Sequence, residues 1–215
     1  MIVVPATEFP STDIADSNMP SADYALWSGS VSYGVGDKVS RGDFNYEAVA
    51  ENTNVDPAAE TILPKKWINL GPVNRLRMFV KKVDNTWKPG TFTEYPEEIS
   101  ITINMNSRIN AVGMVGVEAT SVTIELIVDG DVIYTSSNQM TVRGAGSWYR
   151  YFFAPFQTES NLVQLDIPPI IGPYQLRIRA EAAGGVARIG MVVFGLAQKI
   201  GNASWGSRVG FDNYT

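Results

Sequence analysis

The chain has no cysteine and no histidine among its 215 residues. Without cysteine there is no disulfide, no zinc–thiolate centre and no thiol nucleophile. Without histidine there is no Ser-His-Asp triad and no imidazole base or metal ligand. Any catalysis would have to rest on carboxylates, lysine or tyrosine, or on a hard cation held by carboxylates. Basic charge is sparse as well: 17 Lys and Arg stand against 22 Asp and Glu, for a net charge of −5. The densest basic spots are Lys65-Lys66, Arg75 with Arg77, and Lys81-Lys82. Scattered solvated charge of this kind does not build a phosphate-binding surface, so no nucleic-acid partner is expected. No run approaches the ~20 apolar residues that a membrane-crossing helix requires. The N-terminus, Met1 to Pro5, has neither the basic start nor the apolar stretch of a signal peptide. The expectation is synthesis in the cytosol with no membrane partner. Apolar residues make up 45% of the chain, enough to fill a core.

What the sequence does have is aromatic residues at close, glycine-punctuated spacing. Trp27, Tyr33, Gly36-Asp37, Val39, Gly42, Tyr46, Ala48, Pro57 and Trp67 fall within about forty residues. They describe a small aromatic-cored β-module over residues 24–72. Short strands are expected around Lys38–Ser40 and Tyr46–Glu51, joined by a turn at Arg41-Gly42-Asp43, where Gly and Asp supply turn chemistry rather than a cell-adhesion signal. Residues 1–23 contain Pro5, Pro10 and Pro20 and read as an extended N-terminal arm. Two readings of that arm stand side by side: a frayed terminus, or a segment lying on a neighbouring subunit.

From residue 73 to 215 the pattern is antiparallel β. Ile99–Ile103 alternates apolar and polar, as a half-buried strand does. Ser121–Val128 alternates too, and Asp129-Gly130 closes a hairpin into Val132–Tyr134. Tyr174–Ala180 alternates again, Gly184-Gly185 is expected to turn the chain, and Val186–Leu196 follows as an apolar strand. No amphipathic helix is evident. The fold class expected is all-β: the small module followed by an antiparallel sandwich of jelly-roll type.

The candidate functional residues follow from the aromatics. Trp27, Tyr33, Tyr46 and Trp67, with Trp87, can be read as flat faces for sugar stacking or for docking. In a module of ~50 residues the first four also serve as its core, because so short a chain has little other apolar volume. A second aromatic set, Trp148, Tyr149, Tyr151 and Phe153, places rings on both faces of one strand and marks a candidate subunit interface, or burial within the sandwich. The carboxylate pairs Glu97-Glu98, Asp129 with Asp131, and Glu159 with Asp166 show no acid–base arrangement of glycosidase type. No phosphate-binding loop or calcium loop is present. The expectation is a non-enzymatic chain with no cofactor and no metal.

The spacing of Trp27, Tyr33, Gly36-Asp37, Val39, Gly42, Tyr46, Ala48, Pro57 and Trp67 resembles the small chitin-binding modules appended to chitinases and cellulases (carbohydrate-binding families 5 and 12). Those modules stack an exposed tryptophan on the sugar just before the proline. Val55, ahead of Asp56-Pro57, is the corresponding residue here and supplies no flat face. A longer order of motifs resembles bacteriophage tail and virion structural proteins that join a chitin-binding-like module to a β-sandwich. It runs from Trp67 through Pro72, Asn74 and Phe79 to Trp148–Pro155, Leu165–Pro169, Ile189–Gly195 and Gly206–Tyr214. The resemblance implies a structural component at the tail, collar or baseplate, acting as an adaptor in a symmetric homo-oligomer and located in the virion. Its partners would be other tail, collar or fibre proteins. The alternative implied is attachment to a host surface glycan.

Overall fold

The computed structural model describes residues 2–61, 63–79, 82–83, 86–87, 91–142 and 157–201, with the backbone alone for Lys82, Val83, Thr86, Trp87, Val142, Gln157 and Thr158. In chain order the strands are β1 (Ile2–Val3), β2 (Ile14–Ser17), β3 (Ser32–Tyr33), β4 (Lys38–Arg41), β5 (Phe44–Ala48), β6 (Asn52–Thr53), β7 (Trp67–Pro72), β8 (Lys82–Val83) and β9 (Thr86–Trp87). They continue with β10 (Thr93–Met105), β11 (Ala111–Glu118), β12 (Ser121–Val128), β13 (Asp131–Gln139), β14 (Thr141–Val142), β15 (Gln157–Thr158), β16 (Asn161–Gln164), β17 (Tyr174–Gly195) and β18 (Gln198–Lys199). The only helical elements among the described residues are two single 3-10 turns, Ser11–Asp13 and Asn74–Leu76. The chain is all-β with a sandwich-like body.

The module is built on β4-β5-β7 with the short pair β3-β6 beside it. The β4–β5 hairpin pairs Arg41 with Phe44 and turns at Gly42-Asp43. Gly42 sits at φ +61°, a conformation that glycine adopts without strain. Arg41 leaves this turn to clamp Asp56, and the Asp43 carbonyl accepts the Val73 amide. The Arg-Gly-Asp triplet is thus bound into the module's own framework.

The sandwich is organised by the long antiparallel pairing of β10 with β17. The first part of β17 also pairs with β12, which carries β13 on its far side, and the last part pairs with β11, which carries β16. Between these halves the register breaks at one line. Pro96 pairs with Val186 but Glu98 pairs with Glu181, so one residue of β10 faces four of β17. Ala119-Thr120 separate β11 from β12 at the same level. Glu97 and Gly184 both adopt positive φ there, at 65° and 70°. Bulges at matching positions in adjacent strands bend a sheet, which is how sandwich corners form. The expected turn at Gly184-Gly185 is therefore corrected: β17 does not reverse but runs through the crease, and the glycines let it bulge while both flanks keep their ladder bonds.

Both halves turn apolar side chains to one core. It includes Ile99, Ile101 and Ile103 of β10, Met114 and Val117 of β11, Val122, Ile124 and Leu126 of β12, and Leu176, Ile178, Ile189 and Phe194 of β17. The alternation expected of Ile99–Ile103 and Ser121–Val128 is what fills it. The outer face holds charge ladders instead: Arg177 bonds Glu125, Arg179 bonds Glu98, and Arg188 bridges Glu94 and Glu118. The Glu98 carboxylate raises the Arg179 pKa by accepting its hydrogen bond.

The first 23 residues also differ from expectation. They are not a frayed end, because both of their strands pair within the chain. β1 pairs with β18, and β2 adds to the sheet beside β10. The Asn18 side chain extends that pairing by donating to the Glu98 carbonyl and accepting from the Ser100 amide. Met19 is buried in the core, and Phe9 packs edge-on against Phe79 at 5.1 Å and at a shallower tilt against Phe194 at 5.6 Å. Pro10 precedes the first 3-10 turn and Pro20 follows β2. The prolines thus punctuate a docked segment instead of keeping it extended.

Candidate functional site

The module's aromatics point inward. Trp67 is 2% exposed, and Tyr33 and Tyr46 are each 8% exposed, around Val39 and Ala48. The Tyr33 and Trp67 rings meet edge to face with centroids 5.1 Å apart. Their polar atoms are spent internally as well. The Trp67 indole N–H donates to the Val55 carbonyl at 3.0 Å, and the Tyr33 hydroxyl accepts from the Ser28 amide at 2.8 Å. Val55 packs against this core as well. Trp27 is half-buried beneath Arg41, whose guanidinium carbon lies 5.2 Å from the ring centroid. Arg41 is held there by Asp56 at 2.8 Å, and this hydrogen bond keeps the Asp56 carboxyl below the usual carboxylate range.

The reading of Tyr33, Tyr46 and Trp67 as exposed stacking platforms is therefore corrected: burial removes their faces from any sugar. The Trp87 side chain, and Trp148, Tyr149, Tyr151 and Phe153, lie outside the described residues.

What surrounds the module is more instructive than its core. Asp23, just before the first aromatic, gathers both sides of the junction with the sandwich. Its carboxylate accepts from the Asn45 side chain at 2.8 Å, from the Asn74 amide at 3.0 Å, and from Arg77 at 2.9 Å. Asn45 lies on β5 and is itself buried, accepting from the Ser40 hydroxyl at 2.7 Å. Asn74 opens the second 3-10 turn and reaches into the sandwich. Its side chain donates to the Glu94 carbonyl and accepts from the Glu94 amide, while its carbonyl accepts from the buried Thr93 hydroxyl. Val73, Leu76 and Met78 then bury their side chains. Strand β5 of the module, the segment before it and strand β10 of the sandwich are thus fastened by one polar cluster, the clasp below.

No local sequence signal announces the clasp. Asp23 and Arg77 are 54 positions apart and share no periodic pattern with their partners. The one visible hint is that these polar residues flank the aromatic stretch at both ends.

Against the clasp lies an open cleft of about 500 Å³, lined by Pro20, Asp23, Tyr24, Asn74, Arg77, Glu94, Tyr95, Pro96 and Val186. A second, more apolar groove of about 600 Å³ runs along Phe9, Leu76, Phe79 and Phe194. The carboxylates named from sequence do not converge on either one as a pair. Glu98 is bound to Arg179, and Asp129-Gly130 forms the β12–β13 turn. Among the described residues no group of three or more carboxylates could hold a metal ion, and no helix is long and apolar enough to cross a membrane. No family model and no curated protein matches the chain.

Proposed function

We propose that this chain is a structural component of a bacteriophage virion at the tail, collar or baseplate, an adaptor within a symmetric homo-oligomeric assembly and not an enzyme. The observation that carries the reading is the clasp. A module tied to its body by Asp23 and Asn74 keeps one orientation, which an adaptor needs and a tethered ligand-fishing domain does not. The module's rings are spent on its own core, which leaves its outer surface for contact. That surface carries exposed apolar side chains, including Leu26, Val35, Ile68 and Leu70, as protein-docking surfaces do. In a closed ring each subunit repeats the same contact, so individually modest interfaces add through multivalency. Attachment to a host glycan through the module's rings has less support, since three of the four candidate rings are buried.

The experiment is mass spectrometry and electron microscopy of purified particles carrying this gene product. Stoichiometric presence at a defined ring supports the proposal. A protein abundant in infected cells but missing from the particles refutes it.

A further inference from the structure

We infer that the junction cleft beside the clasp is a binding site for a neutral saccharide unit, held between Tyr24 and Tyr95. This site is separate from the module's aromatic set and does not depend on the particle role. Tyr24 comes from the segment entering the module and is 39% exposed, while Tyr95 comes from β10 of the sandwich and is half-buried. Both line the same cleft, flanked by Pro20, Pro96 and the exposed Val186. Among the described residues neither phenol hydroxyl has a hydrogen-bond partner. Lys38, paired with Glu47, lies over the Tyr24 ring at 5.9 Å from its centroid; the remaining ring surface and the proline edges match the apolar C–H face of a pyranose, and phenols without a partner match its hydroxyls.

Charge balance selects the ligand class. Asp23 in the cleft is compensated by Arg77 at 2.9 Å, and Glu94 by Arg188 at 3.1 Å. A charged ligand would meet no unpaired opposite charge. A polyol, whose hydroxyls both donate and accept, can use the second Glu94 oxygen and the phenols without breaking either ion pair. A proline-rich peptide, the other ligand that aromatic grooves take, presents a carbonyl ladder that requires several donors, and the cleft offers chiefly acceptors and hydroxyls. The clasp holds the two sides of the cleft at fixed separation, so little ordering is lost on binding.

The test uses the full chain, fluorescently labelled, on a printed array of bacterial surface polysaccharides and neutral oligosaccharides, with an array of proline-rich peptides beside it. The best-retained glycan is then titrated by calorimetry. Retention on neutral glycans is expected, with affinity falling about tenfold or more in Tyr24→Ala and in Tyr95→Ala, the usual scale for removing a stacking anchor. Tyr24→Phe should fall between the wild type and Tyr24→Ala, because it keeps the ring and loses the hydroxyl. Tyr24 lies at the surface, so its variants report even if Tyr95→Ala disturbs folding. Retention on no glycan, retention unchanged in both Tyr24 variants, or capture by the peptides alone would each overturn the assignment. None of these outcomes bears on whether the protein is present in particles.

Discussion

Replacing Asp23 with alanine should loosen the module from the sandwich, and the structure gives the size of the effect. Three groups lose their acceptor. The Asn45 amide is buried, and an unsatisfied buried donor costs about 1–3 kcal/mol. The Asn74 backbone N–H loses an ordinary hydrogen bond, worth about 1 kcal/mol. The Arg77 pair, with side chains 32% and 14% exposed, is partly screened by water and adds up to about 1 kcal/mol. Together they come to about 2–5 kcal/mol for Asp23→Ala. Asp23→Asn keeps one acceptor and should lose roughly half of that. With a urea dependence of about 2–3 kcal/mol per molar, the unfolding midpoint of Asp23→Ala should fall by roughly 0.7–2.5 M. Trypsin gives an independent readout. Arg75 lies in the 3-10 turn that the clasp fastens and Arg77 caps it, and cleavage after them should accelerate in the variant before the sandwich unfolds. A midpoint shift below about 0.3 M, with an unchanged cleavage pattern, would refute the idea that the clasp fixes the module.

Three further outcomes are expected. Trp67→Ala should melt the module at a cost of about 3–5 kcal/mol, seen as loss of its near-ultraviolet aromatic signal while the sandwich keeps its strand signal; a fully retained signal would contradict the buried assignment. Gly195→Val should release the N-terminal segment, because any Cβ at that position would overlap the Pro5 carbonyl, and faster amide exchange at Thr7 is the measurement. The Tyr174 hydroxyl, buried and donating to the Ser107 carbonyl at 2.8 Å, has its pKa pushed up by burial from 10.0 to about 12. A raised value means that the unfolded chain ionises first, so this contribution is complete below pH 10 and is lost as pH rises toward 12. Tyr174→Phe should flatten the alkaline fall of the thermal midpoint across that window.

Much of the fold was legible, and the parts that were not have a common cause. Ser121–Val128 and the Asp129-Gly130 hairpin were readable because period-two alternation and a turn dipeptide are local signals. The module's inward rings were legible too, since a short segment must spend its largest side chains on its own core. The crease was not. Gly184-Gly185 carries the composition of a reversal, and only the continued pairing of β17 with β10 on both sides turns it into a bulge. The N-terminal segment misled for the same reason: its prolines describe local geometry, while its place in the sheet is set by partners about eighty residues away. The clasp and the junction cleft depend on polar residues brought together across the chain, and no periodicity encodes that.

The pairing of β1 with β18 constrains when this molecule can become itself. Ile2 finds its partner only at Lys199, and Glu94 meets Arg188 across 94 positions. A chain emerging from the ribosome holds β1 without its mate until nearly all of the sandwich has been made, although β2 can already pair with β10. Contacts this distant in sequence also slow the search after release. The module, whose strands all lie within residues 32–72, can form early and on its own. Nascent chains should therefore carry a finished module on an unfinished body, with β10 open along the edge that awaits β17 and inviting the wrong neighbour. For a protein proposed to assemble with copies of itself, the last step of its own folding then becomes the checkpoint before subunits join.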